Sequence, residues 1–296
     1  MGIVCLAVTA WAAEGSFTSA GLELHYRTSG SGSPLVVLSG GPGLEVDYMI
    51  PAAEGLSSSY ERIFLEQRGT RRSRPASGTM TAENISLKLM LDDLEALRIH
   101  LKQERLLILG HSWGGMYAMA FAASYPEHVD RLILVDSGGM TMAFGQEFGD
   151  NIEARLRAED LEAQQYWADA EKRGVDREKA GLEGMRAILP GYFFERAKGL
   201  AFAASLKDGA AHRDVPAALN PDLRKSYDAR AGLAKLDRPV LIVHAHQDPM
   251  GDKVPEDIPA AIKTSRIAYI NRFGHFPWVE QPEEYRKIVN AFLDGK

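Results

Sequence analysis

The stretch LILGHSWGGMYAMAFAASYP, Leu107 to Pro126, constrains this chain more than any other. Four apolar residues lead to a lone serine between His111 and Trp113, with glycines on either side, and then to a run of small and apolar residues. That pattern predicts a buried strand, a turn whose flanks leave no room for side chains, and a helix. A strand feeding a helix through so tight a turn is a unit of a parallel sheet with helices packed on it.

The rest of the 296 residues repeats the unit. The alternation in LELHYRT (Leu22 to Thr28), the punctuation SGSGSP and the run LVVLSGG read as a hairpin-like pair leading into a buried strand. RIFLEQRG (Arg62 to Gly69) supplies another apolar run. Between Thr81 and Gln103 apolar residues recur at helical spacing, predicting an amphipathic helix ahead of the strand LLILG. RLILVDSGG, RPVLIVHAHQD and SRIAYINRFGH are further strand candidates, and a helix is predicted from Pro282 to about Leu293. Short all-apolar strands alternating with helices imply a mostly parallel sheet covered on both faces. From Thr141 to about Ala231 no strand is evident, and the segment reads as an inserted helical cap. The expected organisation is an N-terminal segment, signal or unstructured, at 1–15, an α/β core at 16–140 and 232–296, and the cap at 141–231.

A hydrophobic content of 45% can fill such a core, and a net charge of -6 with scattered basic residues gives no electrostatic footprint for nucleic acid. The expected partner is a small molecule or a short peptide. Cys5 is the only cysteine, which excludes an internal disulfide and a cysteine-based zinc site. The N-terminal apolar run with its small-x-small pattern Ala10-Trp11-Ala12 resembles a signal peptide lacking a charged n-region, so the protein is read as either cytoplasmic or exported. No run is long enough to span a membrane.

Gly110-His111-Ser112-Trp113-Gly114 matches G-x-S-x-G, a turn that holds a serine clear of the sheet as a nucleophile. The amide of Trp113, at the helix N-terminus, is a candidate oxyanion donor. A hydroxyl needs a base and the base an orienting carboxylate. The order serine, acid, histidine at successive strand ends selects Asp248 after VLIVHAHQ and His275 after IAYINRFG. The loop SGGPG, Ser39 to Gly43, ends a strand at the same sheet edge, and Gly41 is the candidate for the second oxyanion amide. A rival reading places His244, His246 and Asp248 on one strand face as metal ligands. It would leave the serine turn without purpose, so no metal or cofactor is expected.

These residues resemble the α/β-hydrolases of the prolyl aminopeptidase (proline iminopeptidase) group, through GGPG at 40–43, EQRGTRRS at 66–73, GHSWGG at 110–115, HQDP at 246–249 and GHFPWVEQPEEY at 274–285. The resemblance implies the α/β-hydrolase fold, Ser112 as nucleophile, Asp248 as acid, His275 as base, and Gly41 and Trp113 as the oxyanion hole. The chain departs from the group at Ser39, where a histidine is usual, at Glu66, where aspartate is usual, and at Arg71, where a glycine is usual.

The expected activity is that of a serine hydrolase releasing N-terminal proline from small peptides through an acyl-enzyme. The alternatives are a carboxylesterase for small acyl esters and a catalytically silent ligand-binding protein of the same fold. The cap glutamates and the aromatics Tyr166, Trp167, Tyr192, Phe193 and Phe194 are read as solvated charge and cap core, and Arg71, Arg72 and Arg74 as solvated loop charges.

Overall fold

The computed structural model describes residues 11–170 and 173–295. Eight strands form one sheet: β1 (Ala13–Ser19), β2 (Leu22–Ser29), β3 (Ser33–Leu38), β4 (Tyr60–Glu66), β5 (Leu106–His111), β6 (Val129–Val135), β7 (Val240–His244) and β8 (Ser265–Tyr269). Their spatial order is β1-β2-β4-β3-β5-β6-β7-β8. β2 runs antiparallel to both β1 and β4, and every pairing from β4 through β8 is parallel.

Strand periodicity divides the core in two. On β3, Val36 and Leu38 face one helical layer while Leu35 and Val37 face the other, and β5, β6 and β7 alternate in the same way. That two-sided burial is why these strands read as unbroken apolar runs. One layer is built from the helices Leu87–His100, Trp113–Ser124 and Lys253–Ala261, and the other includes Pro282–Leu293. Trp113–Ser124 is buried nearly all round, which its small and apolar composition allows. Its neighbour Leu87–His100 carries Asp93, whose carboxylate takes two bonds from Arg68, from Nε at 2.8 Å and from Nη2 at 2.6 Å. The buried pair ties the end of β4 to this helix.

Two expectations are corrected. The hairpin is β1 with β2, joined by the tight turn at Ala20-Gly21, and β3 does not pair with β2 because β4 lies between them. Residues 11–15, assigned to the N-terminal segment, belong to the sheet edge: Ala12 N donates to Thr28 O at 2.9 Å and the Trp11 ring packs 5.3 Å from that of Phe64. Alternation in β1 is weak because it is an edge strand with only part of one face covered. The remaining signal-like residues, Met1–Ala10, lie outside the described residues.

Between β6 and β7 the described residues form helices and no strand, including Gly145–Glu153, Ala158–Ala168, Arg177–Ile188, Arg196–Ser205 and Asp214–Ser226. The two ends of this insertion meet at a bridge between Thr141 and Asp228, and Ala229 N donates to Met140 O at 2.9 Å. Among the described residues no helix is long and apolar enough to cross a membrane.

Candidate active site

Steric exclusion builds the turn after β5. A Cβ on Gly110 would lie 2.3 Å from the Gly114 carbonyl oxygen, and one on Gly114 would lie 2.4 Å from Leu38 O. Larger residues at either position would separate the elbow from its own helix or from β3. Ser112 itself sits at φ 55°, ψ -119°, outside the region L-residues favour, a conformation that persists only when its surroundings over-determine it. Those surroundings include the Ser112 N to Val135 O bond of 3.0 Å, which ties the turn to β6. Trp113 is the first helical residue, so its amide has no partner within the helix.

Asp248 lies in the loop after β7 and His275 in the loop after β8. His275 Nδ1 is 2.9 Å from Asp248 Oδ2 and 3.1 Å from Oδ1, and Met250 N donates to Oδ1 at 2.7 Å. Burial works against a charged Asp248. The charge and hydrogen bond of His275, with His244 behind them, outweigh it and hold the carboxyl below the usual carboxylate range. His275 N donates to Tyr192 O at 2.7 Å, and its imidazole is ringed by His111, Tyr192, Phe276 and Phe148 at 4.6–5.8 Å between centroids. The structure thus places His275 against the residue preceding Ser112. The Ser112 Oγ to His275 Nε2 bond is not formed in this structure, a looseness common before substrate binds.

Ser39–Gly43 leaves β3 and passes directly beside the elbow: a Cβ on Gly40 would approach Ser112 Cβ to 3.0 Å. Gly41 has φ +120°, and a Cβ there would strike the amides of Gly43 and Leu44 at 2.9 and 2.8 Å. The loop is fastened on three sides. Ser39 Oγ donates to Leu44 O (2.9 Å), His212 N of the insertion donates to Gly43 O (2.9 Å), and Gln67 Nε2 donates to Ser39 O (2.9 Å). Gln67 Oε1 also accepts from Trp113 Nε1 at 3.1 Å, so one buried amide spans β3, β4 and the elbow.

Sequence reasoning assigned no role to two buried carboxyls, although one of them, Glu280, lies in the GHFPWVEQPEEY motif. Glu280 accepts from the amides of Gly274 (2.7 Å), Glu195 (2.8 Å) and Phe194 (3.2 Å), joining the His275 loop to the insertion. Asp136, directly after β6 and fully buried, has φ 43°, and its carboxyl makes no hydrogen bond of ordinary geometry, although its amide donates to Val243 O at 2.9 Å. His244 Nδ1 lies 3.3 Å from its Oδ1, and Asp248 and the backbone of Ala245 are also close. Asp136, His244 and Asp248 bring one ligand-type atom each within 4.8 Å of one another, the only such group among the described residues. The donor set does not suit a metal ion, because Asp248 already accepts from His275 and Met250. Two carboxyls so close in a buried setting instead disfavour each other's ionisation. Burial and the charge of Asp248 push Asp136 well above the ordinary carboxylate range.

A raised value makes the contribution of Asp136 to stability most favourable in acid, and that contribution is lost as pH rises through the folded-state value. Asparagine does not titrate. The Tm of Asp136→Asn relative to wild type is therefore expected to climb as pH rises from about 4, where an unfolded aspartate ionises, toward the raised folded-state value. A constant difference in differential scanning fluorimetry would show that Asp136 is ionised throughout.

The rival arrangement of His244, His246 and Asp248 on one strand face is not found. The strand stops at His244, and His246 turns outward, stacking on Tyr269 at 4.3 Å and bonding Asp252, so His244, His246 and Asp248 do not share a face. Arg71 and Arg72 are exposed, as expected of loop charges, and Arg74 is partly buried, but all three are paired. Arg72 pairs with Glu66 at 2.8 Å and Glu14 at 2.6 Å, Arg74 with Asp214 at 2.6 Å, and Arg71 with Asp47 at 3.4 Å. Glu66, buried where the group has aspartate, anchors the first of these. Of the aromatics, Phe193 is core, Tyr192 faces His275, and Tyr166 and Phe194 are about half exposed. Among the glutamates, Glu183 pairs with Arg186 and Glu195 with Lys198, while Glu171 lies outside the described residues.

A family model described as alpha/beta hydrolase fold matches residues 33–282. The proline iminopeptidase of Saccharolobus solfataricus is 25% identical to this chain over 282 residues, spanning 91% of this chain and 87% of its own length. A 2-hydroxy-6-oxononadienedioate/2-hydroxy-6-oxononatrienedioate hydrolase of Paraburkholderia xenovorans is 25% identical, over 92% of this chain and 91% of its own. Among solved structures, a thermophilic esterase from Thermogutta terrifontis superposes with a TM-score of 0.71 at 21% identity, over 96% of this chain and 99% of that one. With its eight-stranded, mostly parallel sheet and helices on both faces, this chain belongs to the alpha/beta hydrolase fold family.

Proposed function

We propose that the protein is a serine hydrolase that works through an acyl-enzyme. The observation that carries the reading is the buried Asp248–His275 pair at 2.9 Å, its imidazole 4.6 Å from that of His111, the residue before a serine held at positive φ at a helix N-terminus. In this reading His275 Nε2 takes the proton of Ser112 as Oγ attacks the carbonyl carbon, and Asp248 keeps the Nδ1 proton facing itself. The tetrahedral oxyanion is met by the amides of Gly41 and Trp113. His275 then returns the proton to the leaving group and activates water against the ester of Ser112. The helical insertion, 141–231, acts as a cap: Tyr192 and Phe148 close over the imidazole and limit water at the base.

For the substrate we propose small peptides bearing N-terminal proline, supported by the resemblance to relatives named proline iminopeptidase over nearly the whole chain. The aromatic surroundings of His275 favour a second reading, a carboxylesterase for small acyl esters, in keeping with the esterase neighbours. Hydrolysis of proline p-nitroanilide measured beside p-nitrophenyl acetate and butyrate separates the two. Anilide cleavage that is lost on N-acylation of the proline supports the aminopeptidase. Ester cleavage alone supports the esterase, and turnover of none of the three would point to the catalytically silent binding protein.

A further inference from the structure

The site holds two polar residues that the proposed chemistry does not use. Tyr48 Oη and His111 Nδ1 lie 2.8 Å apart, and His111 Nε2 lies 2.8 Å from the backbone oxygen of His275. The Tyr48 hydroxyl also accepts the amide of Gly40, the residue before Gly41. Donor and acceptor types leave one arrangement of protons. A carbonyl oxygen only accepts, so His111 Nε2 carries the hydrogen and Nδ1 is the acceptor. Tyr48 must then donate to Nδ1 while accepting from Gly40. Burial holds the His111 imidazole well below its ordinary value, so it stays neutral and the order of protons is kept.

From this geometry we infer that Tyr48 and His111 are positioning residues, a hydrogen-bonded strut from Gly40 N–H through both side chains to the His275 carbonyl that sets the Gly41 loop and the general base relative to each other. The inference rests on the reading of Ser112, His275 and Gly41 given above. The two residues that His111 bonds, Tyr48 and His275, lie 63 and 164 residues from it in sequence. No backbone hydrogen bond joins the Gly40 loop to the His275 loop among the described residues. The Tyr48 ring is packed independently of its hydroxyl, edge-on to Phe276 at 6.1 Å and to Phe202 at 6.4 Å, so the strut can be cut without removing core volume.

Three variants cut it at chosen points. Tyr48→Phe removes the hydroxyl. His111→Gln keeps a donor near the Nε2 position but loses the Nδ1 acceptor, so it severs the same link as Tyr48→Phe. His111→Asn keeps an acceptor for Tyr48 and loses the bond to His275. Each is measured for kcat and KM on whichever p-nitrophenyl or p-nitroanilide substrate wild type cleaves, for the rate of Ser112 labelling by a fluorophosphonate probe, and for Tm. The expected result is a fall in kcat and in labelling rate of about tenfold or more, with KM within about twofold, because the strut sets geometry rather than substrate contact. The double variant Tyr48→Phe/His111→Gln is expected to be no slower than the worse single variant, since both cut one link. Wild-type kcat and labelling in Tyr48→Phe would overturn the inference, as would losses that multiply in the double variant or that follow Tm. Absence of Ser112-dependent labelling in wild type would overturn the hydrolase reading itself, a separate failure.

Discussion

Alanine at Ser112 is expected to lower turnover about 10⁴-fold or more, leaving only what binding and oxyanion stabilisation supply without a nucleophile. The fold should be unaffected, because the change deletes one atom and the elbow is held by backbone contacts: Ser112 N to Val135 O, and Gly115 N to Ser112 O at 3.0 Å. Steady-state kinetics on the substrate identified above, with Tm as the control for folding, check this. Retention of more than about a tenth of wild-type kcat by a well-folded Ser112→Ala would remove the serine from the mechanism.

The second large effect is expected at Asp248→Asn, again a loss of about 10⁴-fold in kcat, for a reason specific to this site. Met250 N donates to Oδ1 at 2.7 Å, so an asparagine would keep its carbonyl oxygen there. Its NH₂ group would then occupy the Oδ2 position, 2.9 Å from His275 Nδ1, and donate to that nitrogen. The imidazole proton is displaced to Nε2, and a nitrogen that carries a proton cannot take one from Ser112. A wild-type rate in Asp248→Asn would show that the neighbouring Asp136, not Asp248, orients the base. The two carboxyls are near enough for the comparison to be informative, but only Asp248 bonds His275 in this structure.

Much of the fold was legible because its causes are local. Two-sided burial of Leu35 to Leu38 and of Leu106 to Leu109 requires an unbroken apolar run, and the run is visible without coordinates. The helix predicted from Pro282 to Leu293 is found there, since proline at its first position and an apolar stripe at Tyr285, Val289 and Phe292 are local signals. Pairing partners were less legible. The SGSGSP punctuation after β2 marks a turn but does not say which strand lies alongside, and β4, about thirty residues later, takes the place that β3 would have had in a hairpin.

The candidate site divides along the same line. The glycines around Ser112 disclosed a backbone that passes within van der Waals contact of Leu38 and of its own helix, and the strand ends before Asp248 and His275 placed those residues at one sheet edge. Gln67 and Glu280 lie in motifs visible in the sequence, but their bonds do not show there, nothing marked Tyr48 or Asp136, and the pairing of the loop arginines with Glu66, Asp214 and Asp47 needed the fold. Backbone sterics and apolar periodicity act over a few residues and leave a trace in sequence order. The hydrogen bond from His111 to His275, and the closeness of the Asp136 and Asp248 carboxyls, join residues more than a hundred positions apart, and exist only because packing the two helical layers onto the sheet brings those groups together and excludes the water that would otherwise satisfy them.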